Sequence, residues 1–198
     1  MTKPRPPIRP SVRDAVLREF NHHCAVCEKE RPQLHHIDGD PSNNAPLNLI
    51  PLCPNCHLID QHNSARPVEA GKLQLLRVYK DRAVLTQQFN ALYTRMKFLN
   101  SVNEDADAHE LHLKAEELIQ FVAALEKGSF YARQIETLLR RPVAWVIYPN
   151  APNEEAEHKS DQLKRDQEYR EQLRNVKNDT FALIVELLNF QNWQLIIQ

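Results

Sequence analysis

From residue 70 onward, apolar residues recur at steps of three and four: Leu73, Leu76 and Tyr79, then Leu85, Phe89, Leu92, Met96 and Leu99. That spacing places them on one face of a helix that turns every 3.6 residues. Residues 110–127 and 131–141 predict two further helices separated by Gly128, after a polar, acidic break at 100–108. The run 143–148 is β-branched and aromatic, which suits either a short strand or a buried segment. Residues 154–177 carry charges of both signs, as a solvated helix does. The last stretch behaves differently. Phe181, Leu183, Ile184, Val185, Leu187, Leu188, Phe190, Trp193, Leu195, Ile196 and Ile197 cover most of a helix circumference. A surface helix needs one apolar stripe, so this one must be buried on several sides. It is expected either at the centre of a helical domain or, as the preferred reading, at an interface with a protein partner or a second copy.

The first seventy residues have another rhythm. A basic, proline-rich arm (1–10) precedes a short helix with Val12, Ala15, Val16, Leu17 and Phe20 on its apolar side. Ser11 with Asp14 three residues on suggests a capping box at its start. Residues 33–37 and 47–52 read as short strands, joined by the turn formers Asp-Gly-Asp-Pro-Ser-Asn-Asn-Ala-Pro. A helix should begin near Cys53 or Pro54 and end before Pro67, because proline suits a first turn and breaks an interior. The expected class is α+β, with a small strand-loop-strand-helix domain over 11–69 and a mainly α-helical domain over 70–198. With three glycines among 198 residues, most of the remainder is left to helices.

Composition adds a soluble character and removes several classes. The chain is 42% hydrophobic and 26% charged, ordinary for a folded soluble protein. Its beginning, Met-Thr-Lys-Pro-Arg-Pro-Pro-Ile-Arg-Pro, has no apolar core of a secretory signal. No run of 18 apolar residues suggests a membrane span. All the cysteines sit in metal-type pairs, which suits a reducing compartment, and a cytoplasmic location is expected. A formal net charge of −1 argues against a globally basic nucleic-acid binder. Contact with phosphates must come from a local patch. Lys3, Arg5, Arg9, Arg13, Arg18, Lys29 and Arg31 outnumber Asp14, Glu19, Glu28 and Glu30 over the first 35 residues.

Chemistry concentrates between residues 24 and 62. Cys24-x-x-Cys27 and Cys53-x-x-Cys56 account for all four cysteines. Two such pairs match a tetrahedral four-thiolate zinc site, the competing reading being four buried cysteines without metal. The 25 residues between the pairs (28–52) leave room for a strand-loop-strand insert. Four thiolates close the coordination shell, so this zinc is structural. The interleaved histidines need a second explanation. Hydrolysis of a phosphodiester requires an activated water and neutralisation of growing negative charge. An imidazole can take the water's proton near neutral pH, and a divalent ion with open positions can hold the phosphate.

Leu-His35-His36-Ile, Asn48 and Cys-His57 resemble the three blocks of the HNH, or ββα-metal, endonuclease family. The nine-residue step from Asn48 to His57 and the context Asn-Leu-Ile-Pro-Leu-Cys-Pro-Asn-Cys-His are similar to members with an added four-cysteine zinc. The resemblance covers residues 20–65. It implies His35 as a ligand of a catalytic Mg2+ or Mn2+ (Zn2+ or Ni2+ as substitutes), His36 as general base, Asn48 as the residue that fixes loop and base, and His57 as a second ligand. Many members place a third ligand four residues after the helix histidine, where this chain has Gln61; Asp60, Gln61 and His62 stand near, and His62 is preferred on ligand chemistry. Neighbours on a regular strand point to opposite faces, so His35 and His36 share a site only if the strand bends or the phosphate bridges them. Asp38, Asp40, Ser42 and Asn44 imitate the start of a calcium loop, but the sixth position lacks glycine and Leu49 replaces the final glutamate.

The implied function is metal-dependent hydrolysis of DNA. Bacterial anti-phage systems built around such nucleases pair them with an ATPase or sensor, a role the helical region would serve. The alternative is a zinc-ribbon module that binds DNA or protein without cutting. His22 and His23 are expected at the end of the first helix, and His109, His112 and His158 on polar helix faces. Trp145, Tyr148 and Trp193 are expected in the core or at an interface.

Overall fold

A computed structural model describes residues 6–61, 67–141 and 154–191. Two compact units divide the chain, one up to Phe89 and one from Asn90. The mixed α and β class agrees with the sequence reading.

In the first unit, helix α1 runs Pro10–Glu19. Its start differs from the expected capping box: Pro10 opens the helix behind Arg9 and no side chain caps it. Proline needs no partner for the N–H it lacks and arrives with helical φ, so Ser11 lies inside the first turn. Strands β1 (Gln33–His36) and β2 (Leu49–Leu52) pair antiparallel, with Gln33 opposite Leu52 and His36 opposite Leu49. A 3₁₀ turn, Pro46–Asn48, leads into β2, and a π-helical segment, Asn55–Gln61, follows it. All of β2 is buried, since it packs on α1, on helix α2 (Ala70–Tyr79) and on the π-helical segment. Val16, Leu17, Leu34 and Leu49 form one cluster, with Ile8 and Val12 against it.

The sequence boundary at residue 70 cuts α2 from this unit, whereas the compact unit takes α2 in. The physical reason is Arg77. Its side chain is 2% exposed and meets both Glu19 carboxylate oxygens, at 2.7 and 3.1 Å. It also donates to the Pro46 carbonyl at 3.3 Å and lies over the Phe20 ring. Lys80 adds a contact to Glu19 at 3.2 Å. The Arg77 hydrogen bond, aided by Lys80, holds the Glu19 carboxyl below its usual 4.5 against the upward push of burial. The amphipathic period of α2 shows the face it buries and leaves open which unit receives that face.

In the second unit the helices α4 (Ala108–Ala123), α5 (Gly128–Leu139) and α6 (Glu154–Phe190) follow a 3₁₀ turn at Lys97–Asn100, itself preceded by α3 (Phe89–Met96). Leu118, Val122, Ile135, Leu139, Leu173, Ile184 and Leu187 fill the space between α4, α5 and α6. Gly128 begins α5, as expected from its place between two helical patterns. A Cβ there would stand 1.6 Å from the Val122 carbonyl oxygen, so only glycine fits this reversal. The segments 154–177 and 181–190, unlike in character, join in a single 37-residue helix, Glu154–Phe190. Phe181, Ile184, Val185, Leu187 and Leu188 are buried by the chain's own helices. These five are covered from within the unit, while Leu183 is half-buried and Phe190 is exposed. Residues 143–148 and 192–198, with Trp145, Tyr148 and Trp193, lie outside the described residues. No helix among the described residues is long and apolar enough to cross a membrane.

The Arg77–Glu19 clamp supplies a stability prediction. Arg77→Ala leaves Glu19 with Lys80 alone and opens the seat beside Pro46, and should destabilise the chain by on the order of 2 kcal/mol. Because the Glu19 pKa is depressed on folding, its contribution is present above 4.5 and lost as pH falls through the folded value. Thermal melts of Arg77→Ala that match wild type at neutral pH would show that the clamp holds nothing.

Candidate functional site

Two loops bring the cysteines together. After α1 the chain reverses through Asn21 and His22, both with positive φ, and His23 Nδ1 meets the Asn21 carbonyl oxygen at 2.6 Å. His22 and His23 thus build the turn beyond α1. Cys24 N–H donates to Lys29 O and Glu28 N–H to Cys24 O, each at 2.9 Å, which closes the first knuckle. Ala25 N–H donates to the Pro51 carbonyl at 2.8 Å, tying that knuckle to β2. Pro51 has no N–H for a ladder and sits where only its carbonyl is used. Cys53 leaves β2 directly, and its carbonyl accepts from His57 N–H at 2.8 Å.

The four sulfurs lie within 4.8 Å of one another. Cys27 Sγ is 3.5 Å from Cys53 Sγ and 3.6 Å from Cys56 Sγ. These are far beyond a disulfide bond and near the spacing of about 3.8 Å that four sulfurs take around zinc at 2.3 Å. Cys24, Cys53 and Cys56 are buried and Cys27 is exposed. Burial is the largest influence on the thiols and pushes them up. It prevails at Cys56 and Cys27. At Cys53 it is outweighed by the Cys56 backbone N–H and the neighbouring thiols, which bring the pKa to about 7. The donor set and spacing fit a metal such as zinc held by Cys24, Cys27, Cys53 and Cys56.

The histidines divide between the two faces of β1. Gln33 and His35 face outward, while Leu34 and His36 are buried, so the ordinary alternation of a strand is kept. His35 meets His57 of the π-helical segment, ring centroids 5.1 Å apart and planes at 72°. Two imidazoles sharing one ion at about 2.1 Å, in tetrahedral geometry, have centroids about 5 Å apart. His57 Nδ1 is 3.4 Å from the Gln33 Oε1, an atom that can accept from it. Gln33 is an orienting residue that sequence reasoning missed; its signal was the i, i+2 step to His35. His36 is 7% exposed, and its Nε2 lies 3.0 Å from Asn44 Oδ1.

Asn48 pins the loop between the strands. Its Oδ1 accepts from Asp38 N–H at 3.0 Å, and its Nδ2 donates to Asp38 Oδ1 at 2.8 Å and Asn43 O at 2.9 Å. Its backbone carbonyl accepts from Ile37 N–H at 2.8 Å. Asp38 in turn accepts from Asp40 N–H and Asn43 Nδ2. Burial pushes the Asp38 carboxyl up, but the hydrogen bonds from Asn48, Asn43 and Asp40 hold it below its usual 3.8. Asp40 receives Ser42 through both N–H and hydroxyl, so the acidic run builds turns.

Of the residues expected as a third ligand, His62 and the side chain of Asp60 lie outside the described residues. Gln61 is engaged: its Oε1 accepts from Val68 N–H at 2.7 Å and its Nε2 donates to Val68 O at 3.2 Å. Among the described residues, only the four cysteines make a group of three or more metal-type ligands. His109 is exposed and His112 half-buried on α4. His158 has no described side chain. No family model, curated protein or solved structure matches this chain.

The protein as isolated should carry one equivalent of zinc that survives mild chelation. Acid should release it, because the ligands must be thiolates. Cys53→Ser should lower the melting temperature far more than His57→Ala. Elemental analysis without tightly held metal, or a Cys53→Ser variant as stable as wild type, would contradict the assignment.

Proposed function

We propose that the chain is a metal-dependent endonuclease of HNH type, hydrolysing phosphodiester bonds of DNA, with a structural zinc on the four cysteines. The observation that carries this reading is the meeting of His35 and His57 at ligand spacing, on a strand-loop-strand-helix unit whose loop is pinned by Asn48. A divalent ion such as Mg2+ or Mn2+, held by His35 and His57, would neutralise charge on the phosphate and the leaving oxygen.

The chain's own groups then have distinct tasks. His36 accepts the proton of the attacking water. It lies at the end of β1, so a phosphate seated across that end bridges the face of His35 and the face of His36. Asn48 keeps the 37–48 loop, and with it the strand end, in one geometry. The near-neutral net charge leaves DNA affinity to the basic groups of the first 35 residues or to a partner protein bearing an ATPase or sensor.

Purified, zinc-loaded protein is expected to nick or cut DNA when given magnesium or manganese. His36→Ala should lower the rate about 10²- to 10⁴-fold with fold and zinc content unchanged. Equal cleavage by wild type and His36→Ala would remove the base assignment. Absence of cleavage with every metal, and with a co-expressed partner, would favour the zinc module that binds without cutting.

A further inference from the structure

We propose that Asn44 is a positioning residue for His36 and determines which of its ring nitrogens carries the proton. The Asn44 amide has one donor end and one acceptor end. Nδ2 lies 3.3 Å from the carbonyl oxygen of Pro6 and 3.5 Å from that of Pro7. A carbonyl oxygen only accepts, and turning the amide round would set oxygen against oxygen. The acceptor end, Oδ1, therefore faces His36 Nε2 at 3.0 Å.

An acceptor at Nε2 requires a hydrogen there. In the neutral imidazole the lone pair is then on Nδ1. The same bond restrains rotation of the ring, which is buried on the face of Leu34. The tautomer assignment stands on hydrogen bonding and needs no metal. Its consequence for catalysis rests on His36 being the base in the reading above.

This chain of contacts gives the N-terminal arm a task. Pro6 and Pro7 have fixed φ and no N–H, so their carbonyls are the polar groups they offer. Ile8, next in the chain, packs on the cluster of Val16, Leu17, Leu34 and Leu49, which anchors the arm beside the loop. The arm thus orients Asn44, and Asn44 orients His36. Residues 6–8 of the basic, proline-rich arm act as the outer support of the site.

Histidine-labelled, zinc-loaded full-length protein tests this by long-range proton–nitrogen correlation at a pH where the ring is neutral. In wild type, His36 should show a protonated-type Nε2 and an unprotonated-type Nδ1. Asn44→Ala should give a mixture of tautomers. In DNA cleavage, Asn44→Ala should lower kcat about tenfold or more with KM little changed. A wild-type His36 protonated at Nδ1 overturns the proposal without need of any variant. So does Asn44→Ala with an unchanged tautomer. Should the expected tautomers appear in a protein that cuts no DNA, the role of Asn44 stands and the nuclease reading falls.

Discussion

The first unit is built around four thiols that lie within the reach of one cation. The first knuckle is bound to β2 through the Ala25–Pro51 hydrogen bond, and the second grows from the end of β2. Cys53 then accepts from the backbone of His57, so the residue that joins the metal cluster to the sheet also sets the start of the π-helical segment. Metal binding of this kind contributes on the order of 10 kcal/mol to folding. A two-stranded hairpin is marginal by itself in water. Closing the cysteine cluster therefore fixes the distance between β1 and the π-helical segment, and with it the approach of His35 to His57.

A second set of constraints acts from the other side. Arg77, drawn into the unit by Glu19, also bonds the Pro46 carbonyl just before Asn48. Asn48 holds Asp38, and the loop between them presents Asn44 to His36. The loop has its polar groups satisfied internally, by Asx-type turns at Asp38, Asp40 and Asn43. The site histidines are thus held between a thiol cluster and a hydrogen-bonded loop.

The cysteine pairs, both strands and the helix after Cys53 were legible in the sequence because each rests on a local signal: C-x-x-C spacing, a run of turn formers, a proline at a helix start. The helical periods of the second unit were legible for the same reason. Local pattern did not carry what depends on distant residues. Nothing in the order of residues announces that Arg77 belongs with Glu19, or that Asn44 rather than Asn48 faces His36. The burial of Phe181, Ile184 and Leu187 was clear from their spacing, but whether the chain or a partner buries them depends on α4 and α5. Ser11 and Asp14 matched a cap that Pro10 made unnecessary.

The central claim is that one hairpin-and-helix unit holds two unlike metal sites, sulfur on one side and imidazole on the other. Titration of metal-free protein with Co2+ tests it most directly, because tetrahedral thiolate cobalt absorbs strongly in the near ultraviolet and visible while a histidine and water site absorbs weakly. The account predicts that the first equivalent develops the intense thiolate bands. A second equivalent should add only weak bands, abolished by His35→Ala or His57→Ala while the thiolate bands remain. Saturation at one equivalent, or a second phase indifferent to both histidine substitutions, would contradict it.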